Sequence, residues 1–291
     1  MDDFLQFLFS GLTRGSVYAI VGIGFSIIYN ASRVINFAQG EFVMIGGMVT
    51  VYLLTTWGMP LALAAVVATA AAAATAAVLE WVAVERARSA TPTTIIIITI
   101  GASILIRGVV EVLLGKRDYL LPAFGSETPI VIGDASLQPQ SFWVLGTLVA
   151  VALGLKFFLG STLAGKAMLA TAQNAAAARI VGINTRRVLF YSFAASGALG
   201  AIAGIVITPI TLTRFDIGVM LGLKGFCASI IGGLANPFGA IAGGLGVGII
   251  EALAGGYLSS AYQDAVAFLI ILLVLMVRPQ GLFSRAAVER V

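Results

Sequence analysis

Long apolar runs separated by short, turn-rich breaks dominate this chain. Runs such as 61–79, 142–159, 188–207 and 265–277 with its flanks approach or exceed the ~20 residues a helix needs to cross a bilayer core. Reading them between turn signals predicts about nine spans, near 5–29, 37–56, 60–84, 94–114, 141–160, 188–211, 218–234, 238–256 and 262–278. The pair around Asn236-Pro237 admits a second reading as a re-entrant pair, so the expectation is eight to ten crossings. No polar segment is long enough to form a soluble domain, and residues 1–291 are read as one all-α, polytopic membrane helix bundle. Composition agrees: 59% of residues are hydrophobic, 10% are charged, and the mean hydropathy is +1.04. A soluble domain carries about a quarter charged residues.

Charge then orients the bundle. Placing the loops near 31–36, 85–93 and 161–187 with the C-terminus on one side gathers Arg33, Arg86, Arg88, Lys156, Lys166, Arg179, Arg186, Arg187, Arg278, Arg285 and Arg290 there. The other side keeps Lys116, Arg117 and Arg214, beside Asp2, Asp3, Asp118, Glu127, Asp134, Asp216 and Asp264. By the positive-inside rule the basic side is cytoplasmic and the N-terminus is outside. The acidic start Met1-Asp2-Asp3 lacks the basic region of a cleavable signal peptide, so the first run is expected to be a retained span. The segment 116–140 is the one sizeable outer loop, with Ile130-Val131-Ile132 as a short β-prone piece. The net charge of +4 is explained by this asymmetry, and nucleic acid is not an expected partner.

Candidate chemistry is sparse. The chain has no histidine and a single cysteine, Cys227, which excludes imidazole relays, His-metal sites and an internal disulfide. Gly160-Ser161-Thr162-Leu163-Ala164-Gly165-Lys166-Ala167 nearly spells a phosphate-binding loop. Such a loop needs Ser or Thr after the lysine and a strand before it. Here Ala167 follows the lysine and a membrane helix precedes it, so no cofactor is expected on this chain.

The cytoplasmic segment 165–187 says more. Residues 166–181 are expected to form one alanine-rich helix that stops at Gly182, a natural position for left-handed backbone. Two readings follow, an interfacial connector or a helix that docks into a groove on a cytoplasmic protein. A second candidate is 36–41, which carries Asn36, Phe37, Gln39 and Glu41 into or near the membrane. Buried charge there is costly, so these residues either tie helix ends together or line the substrate path. Arg107 and Glu111 are spaced to pair one helical turn apart. Lys224 and Glu251 are read as pairing with each other or with a second subunit.

Four stretches carry a resemblance. They are Gly11-Leu12-Thr13-Arg14-Gly15-Ser16-Val17-Tyr18-Ala19, Val34-Ile35-Asn36-Phe37-Ala38-Gln39-Gly40-Glu41-Phe42, the run from Ala170 through Ala175-Ala176-Ala177-Ala178 to Gly182-Ile183-Asn184, and Ile231-Gly232-Gly233-Leu234-Ala235-Asn236-Pro237-Phe238-Gly239-Ala240. Their order and spacing resemble branched-chain amino-acid ABC transporter permeases, and the shorter of the two membrane subunits in particular. The family often carries His where Gln39 stands.

The resemblance implies an importer in a bacterial inner membrane. A second permease subunit, forming a heterodimer, and two cytoplasmic ATPases holding ATP and Mg²⁺ would be its partners, with an extracytoplasmic solute-binding protein. It makes Ala175, Ala176, Ala177, Ala178, Gly182, Ile183 and Asn184 the ATPase-coupling segment. Asn36, Phe37, Gln39 and Glu41 remain candidates for the substrate path. Branched-chain or related small amino acids lead as substrate, with urea, short amides and small carboxylates as alternatives. The rival classes are an ion-coupled carrier using Glu41, Glu251 and the Arg107/Glu111 pair, and a passive channel.

Overall fold

In the computed structural model, residues 2–87, 91–126, 128–132, 135–278 and 280–283 are described. Arg88, Glu127, Asp134, Arg285 and Arg290 of the charge argument lie outside the described residues. The helices are α1 (Asp2–Ser32), α2 (Gln39–Trp57), α3 (Leu61–Leu79, extended by a π-helical turn Glu80–Val84), α4 (Pro92–Leu114) and α5 (Gln140–Ser161). There follow α6 (Leu163–Gln173), α7 (Ala175–Ile180), α8 (Thr185–Thr211), α9 (Ile217–Gly232), α10 (Pro237–Tyr257) and α11 (Gln263–Val277). A two-stranded antiparallel hairpin, β1 (Ile130–Ile132) and β2 (Ala135–Leu137), decorates the long loop, pairing Val131 with Ser136. Its first strand is the β-prone piece expected there.

Among the described residues eight helices are long and apolar enough to cross a membrane, α3 counted with its π-helical turn and α11 with the 3-10 turn Ser260–Tyr262 before it. The ninth expected span is α9, whose 16 residues reach about 24 Å at 1.5 Å per residue. It is short, yet it runs from one face of the bundle to the other.

What closes the bundle is glycine. In lipid there is little hydrophobic drive between helices, so close backbone approach does the work. The pairs Gly11/Gly15 and Gly244/Gly248 face each other where α1 crosses α10. A Cβ on Gly248 would stand 2.4 Å from the Gly11 carbonyl oxygen and 2.4 Å from the Gly15 Cα. The pair Gly218/Gly222 meets Gly40 of α2, and Gly204 of α8 meets the Val43 carbonyl. The result is a central α1, almost wholly buried, ringed by α2, α8, α9 and α10. α3, α4, α5 and α11 turn large apolar side chains such as Ile97, Leu105, Val112, Leu153 and Met276 outward.

Loops group on two faces. One face joins the 33–38 loop, the α3–α4 turn, α6–α7, the α9–α10 turn and the segment after α11. Arg33 bonds the Ala172 carbonyl, Arg186 pairs with Glu85, Asn30 donates to the Ala235 carbonyl at 3.0 Å, and Asn236 donates to the Phe283 carbonyl at 3.1 Å. The other face joins the start of α1, the long 116–140 segment, the α8–α9 turn and the end of α10. There Tyr119 and Thr213 exchange backbone hydrogen bonds of 2.9 Å, and Gln6 accepts from the Ser136 N–H at 2.8 Å. Phe7 packs edge-on against Tyr257. These are the groupings the positive charges predicted.

Two expectations are corrected. The single helix over 166–181 is broken at Asn174, which sits in extended backbone (φ −154°, ψ 100°) and accepts from the N–H groups of Ala176 and Ala177. A side chain that caps a new helix ends the old one, so α6 and α7 are separate. Arg107 does not pair with Glu111 either. Glu111 bonds Lys116 at 2.8 Å, which raises the Lys116 ammonium above its ordinary pKa, while Arg107 turns to another helix.

Candidate functional site

After α1 the chain turns at Arg33, whose φ of 60° is left-handed, and enters the bundle. Val34, Asn36 and Ala38 are buried. The Phe37 N–H donates to Thr99 Oγ1 at 3.2 Å, two turns into α4, and Gly40 touches Gly218 and Gly222. α2 therefore begins deep in the protein, and its first turn carries a carboxylate there. Asn36 Oδ1 accepts from the Ala38 N–H at 3.1 Å, its Nδ2 having no partner among the described residues. Gln39 spends both ends of its amide on Ser196 of α8: Oε1 accepts from Oγ at 2.6 Å and Nε2 donates to the carbonyl at 3.1 Å.

Glu41 is 1% exposed. Its Oε1 accepts from Ser103 Oγ at 2.7 Å and from Arg107 Nη2 at 2.9 Å. Its Oε2 and Arg107 Nε are buried with no partner among the described residues. Both residues line a cavity of about 170 Å³ whose walls include Phe25, Phe37, Ile104 and Leu223. Of the four path candidates, Phe37 and Glu41 line this cavity, whereas Asn36 and Gln39 do not. Sequence reasoning missed Ser103 and Arg107 as partners of Glu41. The signal was present as a polar stripe, Thr99, Ser103 and Arg107, every fourth residue on one face of an otherwise apolar helix.

A second buried network lies against the middle of α1, at Arg14 and Tyr18. Glu251 Oε1 accepts from Lys224 Nζ at 2.9 Å, Tyr18 at 3.2 Å and Gln263 at 3.2 Å, with Arg14 at 3.8 Å. Lys224 also holds Asp264 at 2.6 Å. Lys224 and Glu251 thus pair within the chain, and the network borders a larger cavity of about 510 Å³.

At the basic face, α7 is a six-residue stub held at both ends. Asn174 caps its start. At its end Gly182 (φ 87°) donates to the Arg179 carbonyl at 3.1 Å and Ile183 to the Ala178 carbonyl at 3.0 Å. That pair of bonds is the Schellman closure, which needs a left-handed residue where Gly182 stands. Asn184 then caps α8 by accepting from the Arg187 N–H at 3.1 Å. Ala178 is buried, Ala175 partly so, and Ala176 and Ala177 are exposed. Ile180 and Val181 protrude, 86% and 76% exposed. The stretch resembling a phosphate-binding loop is a tight corner between α5 and α6. Thr162 caps α6, and a Cβ on Gly165 would lie 2.0 Å from the Phe158 carbonyl oxygen.

Residues 7–275 match the family model described as the permease component of the branched-chain amino acid transport system. The chain belongs to this permease family. It is 34% identical to the high-affinity branched-chain amino acid transport system permease protein LivH of Salmonella typhimurium, across 99% of this chain and 98% of that protein. LivH of Escherichia coli gives the same figures, and BraD of Pseudomonas aeruginosa is 30% identical over the same shares. Among solved structures, PsaBC from Streptococcus pneumoniae in complex with Fab shares the fold (TM-score 0.53, 14% identity), covering 95% of this chain and 92% of that one. The permease family accounts for the span-rich architecture, and the chain is a membrane-spanning permease component.

Proposed function

We propose that this chain is the shorter membrane subunit of an ATP-driven importer for branched-chain amino acids in a bacterial inner membrane. The observation that carries the reading is its similarity, end to end, to permeases named for that transport. In this reading the face holding α6–α7 is cytoplasmic, and the N-terminus and the 116–140 loop are outside. A second permease subunit completes the path and a solute-binding protein delivers the amino acid. Two ATPases bind ATP and Mg²⁺ and push on the α6–α7 corner, while this chain binds no nucleotide itself. The protruding Ile180 and Val181 support the docking role, since apolar side chains presented beside a basic, water-facing segment mark an interaction surface.

The test is uptake of radiolabelled leucine by vesicles holding the assembled complex. Uptake should require ATP, survive a protonophore, and fall at least tenfold in Ile180→Asp/Val181→Asp while the subunit stays inserted. Uptake that collapses with the proton gradient while ATP remains would replace the importer with an ion-coupled carrier. Orientation is read from single cysteines in a Cys227→Ser background. Ser126→Cys should react with an impermeant thiol reagent in intact cells, and Ala176→Cys only after lysis. The reverse pattern would turn the topology over.

A further inference from the structure

The cavity beside Glu41 poses a physical problem of its own. An ion pair inside a membrane bundle is costly unless its geometry satisfies both partners. A guanidinium and a carboxylate can do this with two parallel hydrogen bonds. Here one bond forms, Arg107 Nη2 to Glu41 Oε1 at 2.9 Å, and one buried donor and one buried acceptor, Arg107 Nε and Glu41 Oε2, have no partner among the described residues. Ser103 reinforces the oxygen already used. Beyond the pair the cavity walls are Phe25, Phe37, Ile100, Ile104, Val219 and Leu223. The site therefore offers one negative and one positive hydrogen-bonding atom set in an apolar surround.

We propose that the Glu41–Arg107 pair is the point in the path that reads the charged end of the transported amino acid. The α-ammonium donates to Glu41 Oε2, the α-carboxylate accepts from Arg107 Nε, and the aliphatic side chain lies against Phe25, Phe37, Ile104 and Leu223. An α-amino acid carries its two charges on adjacent groups, so it satisfies both leftover atoms at once. An amine or a carboxylate satisfies at most one and leaves the other buried and unpaired, the condition that discriminates most strongly in buried polar sites, whereas a neutral amide can reach both atoms but brings no charge to either. The inference rests on the importer reading above and adds to it which groups of the substrate are recognised inside the membrane.

The experiment uses the assembled complex in vesicles, with leucine uptake, ATP hydrolysis and subunit recovery measured together. Glu41→Gln/Arg107→Gln keeps a hydrogen-bonded neutral pair between α2 and α4 and removes both charges. If the pair only ties the helices, this variant should transport normally, since replacing a whole buried pair is often harmless. The expected result is a complex that assembles and hydrolyses ATP, with leucine uptake at least tenfold lower. Arg107→Lys is the second variant, because it retains the charge and loses Nε. It should lower uptake severalfold with recovery unchanged, which keeps the test open if the double variant fails to fold. Parent-level uptake by either variant overturns the inference and leaves the importer reading standing. Absence of leucine uptake by the parent complex removes the importer reading first.

Discussion

Glu41 and Glu251 are both buried carboxylates paired with a cation from another helix, and they are built differently. Glu251 collects three hydrogen-bond donors on one oxygen, with a second cation nearby, and its lysine is itself held by Asp264. Glu41 has a serine and one edge of a guanidinium, and its arginine has no second carboxylate among the described residues. Among the described residues each glutamate leaves its other oxygen unpartnered, and at Glu41, unlike at Glu251, the cation also leaves a buried donor free. The first arrangement spreads one negative charge over four elements, α1, α9, α10 and α11, and so fastens them together. The second joins two helices and keeps capacity in reserve. Burial of a charge alone thus says little about its role; the completeness of its partnering says more.

The comparison predicts where stability and transport separate. The largest effect is expected at Lys224→Leu, which strips Glu251 of its nearest cation. Breaking a buried pair on one side costs about 3–5 kcal/mol, so the variant should lose most of its yield in detergent and unfold at a markedly lower temperature. If it behaved like the parent, the network would not be the fastener described. Next come two hydroxyl deletions of similar chemistry, Tyr18→Phe and Ser103→Ala, each removing one donor from a buried carboxylate at about 2 kcal/mol. Tyr18→Phe should preserve uptake and Ser103→Ala should reduce leucine uptake severalfold, each at a similar loss of thermal stability. A reversed pattern would erase the distinction between the two sites. The smallest change is expected for Asp264→Asn. Its side chain is more than half exposed, and a pair of that kind contributes at most about 1 kcal/mol, measurable as a slight drop in melting temperature at low salt.

Much of this architecture was legible in the order of residues. Apolar length located the spans, and lysine and arginine sorted the loops onto the two faces now seen joined by Arg33–Ala172 and Tyr119–Thr213. Glycine pairs four apart, such as Gly11/Gly15 and Gly244/Gly248, stand in the sequence at what the structure shows to be helix seams, although nothing in the sequence says which pair meets which. Gly182 announced its left-handed turn, because few other residues tolerate one. The cap at Asn174 was masked by the alanines around it, whose helix propensity argues for continuity. Glu41 and Arg107 lie 66 positions apart, and no local pattern encodes such a distance. A helical spacing rule offered Glu111 instead, and only the folded bundle could show that Arg107 faces α2.

The short corner at Gly182 has a mechanical meaning. Closed by Asn174, the Schellman bonds and Asn184, it has little freedom of its own and passes directly into α8. That helix has 27 residues, with Pro209 in its last turn, and is about 40 Å long. Part-way along it Ser196 grips Gln39 with two hydrogen bonds, and Gly204 beds against the Val43 carbonyl. A shove on Ile180 therefore acts on the near end of a helix clamped to the first turns of α2, the same turns that carry Glu41. If ATPases push on this corner as proposed, the displacement has a packed route through α8 to the turns of α2 that carry Glu41.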